Sequence, residues 1–471
     1  MSDWAGVILA AGLGRRMRSK LPKVLHALAG RPMASYAVDA VRGAGLARCV
    51  VVVGHGADQV KQALGRGLRY VRQDELLGTG HALSQARSAA GRARHILTIH
   101  GDLPLVSSET VAALMNRHLE SGADLTLLTA RVDDLSGFGR IRRDGDGRVL
   151  GVVEEADATG QEENEVNVGV YCFRAGWLWP RLKELPRSKN GEYYLTELLP
   201  LAAREGARVS ALATADPAEA VTVNDRVQLA RVEGLLHERI RRRHMLAGVT
   251  LVDPATVYID ADVEIGQDTV IHPNTTLAGR TRVGPDCRLG PDSLLVDAEI
   301  GAGCRVLSSV VEGSVLEDGI DVGPFSHLRP GSHVGRGAYV GNFAELKNAR
   351  LGSNTKMGHF GYVGDAEVGD DVNIGAGTIT CNYDGTRKHR TVIGDRAFVG
   401  SDTMLVAPVR LGDDAATGAG AVVNRDVPPE HIAVGMPARM LKRGGKSAPR
   451  RKATRRAVGA TGEGRRSKKR G

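Results

Sequence analysis

A glycine turn followed by cations opens the readable part of the chain. In GVILAAGLGRRM (residues 6–17) a short apolar run reaches Gly12 and Gly14; Arg15, Arg16 and then Lys23, in LPKVLH, follow. Backbone N–H groups at such a turn can cradle a phosphate, and two or three cations beside it suit a polyphosphate under attack. A solvated basic face is the competing reading. A dinucleotide site would want a third glycine and an acid about 20 residues further on. Met17 stands at the third position, and the next strand pattern ends in Gly54-His55-Gly56 with no acid. No G-x-x-x-x-G-K-[ST] loop occurs here either. Asp102 ends an apolar run in IHGDLP and is a candidate Mg²⁺ ligand, since Mg²⁺ needs few protein oxygens when phosphates supply the others. A turn or cap aspartate is the commoner use of such a residue.

A second set lies downstream. His359 is accompanied in sequence by Arg329, Lys347, Tyr362, Asn373, Asn382 and Tyr383. A histidine has an unperturbed pKa of about 6.5 and suits removal of a proton from an attacking amine. If coils of about 18 residues stack there, Arg329 and Lys347 share a face and form a cationic clamp for a sugar phosphate.

These residues need scaffolds. Residues 1 to about 225 alternate apolar runs (6–12, 48–56, 95–102, 124–132) with helical patterns (33–45, 108–122), which predicts an α/β domain with a parallel sheet and helices on both faces. Ligands of such sheets sit at the carboxyl ends of the strands, so AAGLG and HGD belong to one crevice. Residues 225–247 form one long helical pattern, charged on most sides, read as an arm connecting two domains. From about 251 an aliphatic residue, often followed by Gly, recurs every six residues, with occasional steps of five, as in Ile265-Gly266, Ile271, Leu277, Val283-Gly284 and Leu289-Gly290. Roughly thirty such hexads predict a parallel β-helix. Between Ile374 and Ile393 lie nineteen steps, one more than three hexads, and TITCNYDGTRKHRTV must leave the prism there as a loop.

Composition sets limits. The 471 residues carry 60 glycines, only 4% aromatics and a net charge of +9. Residues 446–471 hold eleven Lys or Arg and one Glu, so the charge is a property of the tail and the body is nearly neutral. The tail is read first as a disordered, solvated and cleavable extension, with weak nucleic-acid or anionic-surface binding as the sharper alternative. The odd number of widely spaced cysteines, five, argues for free thiols in a reducing, cytoplasmic setting and against a disulfide frame or zinc site. No signal peptide or membrane-spanning run is apparent, and no membrane insertion is expected.

The motifs LAAGLGRRM, LPKVLH, QDELLGTGHA (73–82), HGDLPL, GFGRI (137–141), VVEEADAT, NVGVY (167–171) and GEYYLTELL resemble those of the sugar-1-phosphate nucleotidyltransferases. With HLRPGS (327–332), NFAELKNARLG (342–352), GHFGYVGDAEVGDDVNIGAGTITCNYDG (358–385), FVGSDTMLVAPV (398–409) and the hexads, the chain resembles, from about residue 4 to about 435, the bacterial bifunctional N-acetylglucosamine-1-phosphate uridylyltransferase and glucosamine-1-phosphate acetyltransferase family. The resemblance implies a Rossmann-like nucleotidyltransferase domain (1–225), a linker helix (226–248), a left-handed β-helix of hexapeptide repeats (249–440) and a basic tail (441–471). It implies acetyl transfer from acetyl-CoA to glucosamine-1-phosphate, then uridylyl transfer from UTP to give UDP-N-acetylglucosamine, a precursor for peptidoglycan and lipopolysaccharide. Leu9, Ala10, Ala11, Gly12, Gln73, Gly78 and Thr79 would hold the uridine and its phosphates, with His100 and Gly101 beside them. Arg16 and Lys23 would neutralise the triphosphate. Asp102 and Asn224 would ligate Mg²⁺, and Gly139, Glu154 and Asn167 would grip the sugar. In the second half His359 would be the base, with Arg329, Lys347, Tyr362 and Asn373 on glucosamine-1-phosphate and Ala376, Asn382, Tyr383, Ser401 and Ala419 on acetyl-CoA. A homotrimer with sites between subunits is implied as well. The chain departs from the family at His100, commonly Tyr, at Val168, commonly Thr, and at Met436, where some members place a CoA-contacting Arg.

Overall fold

The first strand, Trp4–Ala10, is buried at all seven positions and lies inside a sheet between Cys49–Val53 and His95–His100, both parallel to it. Its alternate residues serve two cores: Ile8 and Ala10 enter one and Val7 and Leu9 the other. A strand covered on both faces reads as a continuous apolar run for this reason. Each fully buried Val or Ile contributes roughly 1.5–3 kcal/mol. The computed structural model describes residues 3–153, 164–188 and 190–442. They fall into two compact units that meet in sequence between Gly331 and Ser332.

In the first unit the sheet order is Val209–Ala213, Leu125–Arg131, Glu165–Arg174, His95–His100, Trp4–Ala10, Cys49–Val53, Arg69–Arg72. The four strands expected from the sequence are present, and the helices Met33–Gly43 and Ser108–Ser121 match the helical patterns. The sheet is mixed and not purely parallel, because Glu165–Arg174 runs antiparallel to both its neighbours.

The helix Arg226–Leu246 starts where Asp225 accepts the Gln228 N–H as an N-cap. Although charged residues dominate it, Val232, Leu236, His237, Ile240 and His244 make a buried stripe at helical spacing. Val232 and Leu236 pack with Met17, Leu28 and Met33, so this connecting helix is docked along the sheet domain. Glu233 accepts the Ala29 N–H, and the His237 ring meets Glu233 and the Ile259 carbonyl.

Beyond it, two-residue strands stack in parallel. Ile271 pairs with Leu289, Leu289 with Val306, and Val306 with Val322, all buried. These steps are 18, 17 and 16 residues, so the coil length shortens wherever a hexad loses a residue.

In the second unit the same coils recur at a spacing of 17, as in Leu346 with Val363 and Met357 with Ile374. Turns take left-handed Asn and Asp residues (Asn354, Asp365, Asp371), which tolerate that conformation best after glycine. The loop between Cys381 and Thr391 is longer than expected. Met357 to Val368 spans 11 residues, whereas Ile374 to Ile393 spans 19 in the coil stacked on it, so the excursion adds eight residues and not one. Both units therefore carry coils of a left-handed parallel β-helix.

Candidate active sites

The first site is a cavity of about 470 Å³ at the carboxyl ends of the central strands. Its wall includes Leu9, Ala10, Ala11, Gly12, Arg15, Lys23, Gln73, Gly78, Thr79, His100 and Asp102. Strand pairing brings these together: Leu9 lies against both Val52 and His100, and its carbonyl accepts the Gly101 N–H. Gly78 has φ +93, and a Cβ there would stand 2.7 Å from the Tyr193 carbonyl oxygen, so only glycine fits. Thr79 opens the following helix and accepts the Leu195 N–H through Oγ1. Gly12 differs: a Cβ there would meet nothing, so its backbone faces open space. Gly14, at φ +60, presses on Lys23, where a Cβ would come within 2.5 Å of the Lys23 Cβ.

Lys23 Nζ donates to Asp102 Oδ2 and, at 3.1 Å, to Asn224 Oδ1. Three segments distant in sequence thus converge on one ammonium. Burial pushes the Asp102 carboxyl up, but Lys23 and His100 beside it and the Lys23 hydrogen bond hold it below its ordinary range. The other oxygen, Asp102 Oδ1, is buried and has no hydrogen-bond partner among the described residues. A buried unpaired carboxylate oxygen is costly unless something cationic meets it. His100 is held below its ordinary value, chiefly by burial, so it stays neutral there. Arg16 is exposed on the turn Arg15–Met17, and Arg15 is the arginine on the cavity wall.

Of the residues expected to grip the sugar, Asn167 donates its N–H to the Gly139 carbonyl at 2.9 Å and its side-chain amide to Tyr171 Oη at 2.7 Å. Glu154 lies outside the described residues. Val168 points into the core, 2% exposed, so that departure is a packing change.

The second set sits on coil corners. His359 and Phe360 are exposed where the strand Lys356–Met357 turns into Gly361–Gly364. Ala376, Ser401 and Ala419 occupy the same corner of later coils, tied by Gly377 N–H to the Phe360 carbonyl, Asp402 N–H to Ala376 and Gly420 N–H to Ser401. They make a column of small side chains continuing from His359. Lys347 and Tyr362 project outward from neighbouring strands of one face. Asn373 belongs to the adjacent face, between Lys356 and Phe398, so it is not on the face of Lys347 and Tyr362. Arg329 ends the strand His327–Arg329 in the first unit.

Asn382 is buried and donates through Nδ2 to Asp365 Oδ2 at 2.6 Å and Tyr362 Oη at 3.3 Å. Tyr383 is exposed and begins the loop. Asp384 orders that loop, accepting from Thr386, Arg387 and the His389 ring, and these bonds hold its carboxyl far below the ordinary range. One cation was missed in the sequence reading. Lys388 returns beside Lys347, and that neighbour holds its ammonium below the ordinary value. The Asp365 carboxylate offsets part of this repulsion, and the pair still offers two cations to an anionic ligand; the only sequence signal was the cluster of cations in the segment that breaks the repeat.

The fold and its two sites define an NTP transferase extended by a hexapeptide-repeat β-helix. A MobA-like NTP transferase domain matches residues 6–199, and the hexapeptide repeat of succinyl-transferase matches 390–425. The chain is 44% identical over 437 residues to the bifunctional protein GlmU of Desulfitobacterium hafniense, covering 92% of this chain and 96% of that protein. It is 46% identical over 441 residues to the bifunctional protein GlmU of Pelobacter propionicus (92% and 96%) and 46% over 452 residues to that of Trichlorobacter lovleyi (94% and 98%). The chain belongs to the bifunctional GlmU family.

Proposed function

We propose that the chain makes UDP-N-acetylglucosamine in two steps, on the residues placed above. The observation that carries the uridylyl step is the convergence of Lys23, Asp102 and Asn224, with Asp102 Oδ1 buried and unpaired. That donor set, one carboxylate and one amide oxygen, suits Mg²⁺, with phosphates completing its shell. Asp102 and Asn224 would hold the ion, which when bound would offset charge on the triphosphate. A phosphate oxygen of N-acetylglucosamine-1-phosphate attacks the α-phosphorus of UTP, and the bond to pyrophosphate breaks. The nucleophile is already ionised, so positioning and charge neutralisation by Arg16 and Lys23 suffice. Backbone at Leu9 to Gly12 approaches the phosphates, Gln73, Gly78 and Thr79 hold the uridine, and Gly139, Glu154 and Asn167 hold the sugar.

In the acetyl step the amine of glucosamine-1-phosphate attacks the thioester carbonyl of acetyl-CoA. A C–N bond forms, the C–S bond breaks, and CoA leaves as the thiolate, which is protonated by the proton His359 has taken from the amine. His359 takes the amine proton; it is exposed and unencumbered, as a base that must meet substrate should be. Lys347, Lys388 and Tyr362, with Asn373 from the adjacent face, bind the sugar phosphate. The corner column of Ala376, Ser401 and Ala419 gives the acyl carrier a shallow track of roughly 10 Å at the usual strand spacing, with Asn382 and Tyr383 at its side. We assign domains at 1–225, 226–248 and 249–440, a homotrimeric assembly and a cytoplasmic setting. All five cysteines are free, and among the described residues no helix is long and apolar enough to cross a membrane. Basic residues beyond 442 lie outside the described residues.

The test is a coupled assay on the purified chain. Acetyl-CoA and glucosamine-1-phosphate should release free thiol, and UTP, Mg²⁺ and N-acetylglucosamine-1-phosphate should release pyrophosphate. Failure of either reaction removes that half of the reading.

A further inference from the structure

Gln73 is 3% exposed yet lies on the wall of the nucleotide cavity. Its amide nitrogen has two hydrogens and two acceptors: the Gly78 carbonyl at 3.1 Å and His81 Nδ1 at 3.0 Å. A carbonyl oxygen can only accept, so Nε2 must face Gly78, and Oε1 is left as the atom the side chain offers elsewhere. With His81 Nδ1 accepting, the ring proton sits on Nε2. The Gln85 amide lies 3.1 Å from that nitrogen, with Nε2 placed toward it and toward Ser84 Oγ at 3.2 Å; the tautomer is met once the amide is turned so that its oxygen accepts, oxygen and nitrogen being interchangeable by shape. The relay Gln85–His81–Gln73 runs along one turn of the helix Thr79–Gln85 into the pocket.

We propose that His81 is a specificity-determining positioning residue: by locking the Gln73 amide, it makes the site demand a hydrogen-bond donor on the base. Uracil presents N3–H and satisfies a fixed acceptor. Cytosine presents a bare N3 at the same ring position, which sets two acceptors against each other. A site with a fixed, buried hydrogen-bonding group rejects a mismatched analogue far better than an apolar pocket does. The Gly78 carbonyl alone pins one hydrogen; the second anchor on His81 fixes the plane of the amide. This inference rests on the uridylyl-transfer reading and deepens it.

The experiment compares kcat/KM for UTP and CTP in wild type, His81→Leu and His81→Asn, with acetyl transfer in each preparation as the folding control. In His81→Leu the UTP-to-CTP ratio should fall about tenfold, with UTP losing efficiency while CTP gains or holds. His81→Asn can offer Oδ1 near the position of Nδ1 and should keep the ratio within about threefold of wild type. Calorimetric binding of UTP and CTP should move in the same sense. An equal loss on both nucleotides, with the ratio kept, would make His81 a packing residue and overturn the proposal. So would a His81→Asn ratio as low as that of His81→Leu. Wild type that transfers no uridylyl group at all would instead remove the underlying functional reading.

Discussion

His118 shows how one buried side chain ties stability to pH. It is 1% exposed, bonded to Thr126 Oγ1 at 2.9 Å and to His95 Nδ1 at 3.2 Å, with Trp4 packed edge-on to its ring. Burial, with His95 adding to it, pushes its pKa down to about 4 from an ordinary 6.5. Between those values the unfolded chain carries a proton that the folded one does not. Stability therefore falls as pH falls through the window and is fully present above it. From pH 6.5 to 5 this residue alone should cost about 2 kcal/mol. The tryptophans, Trp4, Trp177 and Trp179, report on the same unit. Urea unfolding followed by their fluorescence should show the loss in wild type and a flatter profile in His118→Gln; parallel profiles would place the acid sensitivity elsewhere.

Elements decide which residues the sequence could reveal. Strand tips were legible because a strand buried on both faces is a plain apolar run, and the residue after it must lie at the sheet edge. Leu9 to Gly12 and Asp102 were found that way. Hexads were legible because each inward position must be aliphatic. Lys388 was not, because a loop has no period to place its side chains against. The eight-residue excursion brings it back to Lys347. Lys388→Ala should raise the KM for glucosamine-1-phosphate about tenfold in acetyl transfer, more at low than at high salt, and leave pyrophosphate release unchanged. An unaltered KM would return Lys388 to solvent. The docked face of Arg226–Leu246 was obscured in the same way, since its charged positions outnumber its buried stripe. Its first turn also reaches the first site: Gln228 Oε1 accepts the Asn224 N–H at 2.7 Å, and Arg226 meets the Met17 carbonyl. Gln228→Leu leaves that N–H unpaired, a cost of about 1 kcal/mol or more. Uridylyl transfer should drop about tenfold with acetyl transfer intact, whereas equal rates in both would assign Gln228 to helix capping alone.

At the scale of the whole molecule the two activities stand on different kinds of scaffold. One set of residues is gathered by the tips of a mixed sheet in the first unit, held by long-range pairings such as Leu9 with Val52 and His100. The other is laid out along coil corners, where each coil is fixed by the coils stacked on it, and His359 is exposed. Substitutions without shared partners act additively, so each activity should be removable alone. His359→Ala deletes a solvent-facing ring and should lower acetyl transfer by about 10²- to 10⁴-fold, the usual worth of a positioned base, while pyrophosphate release keeps its wild-type rate. Asp102→Ala should do the reverse. It removes a carboxylate whose Oδ1 is buried and unpaired among the described residues and frees Lys23 from its ion pair, both changes lying within the first unit. Both rates measured on one preparation of each variant, with the assembly state checked by light scattering, decide the matter. Loss of both activities in a folded assembly would mean that the sheet and the coils are energetically coupled. In that case the crossed double variant should fall short of the product of the two single effects, and the coupling would be read from that shortfall.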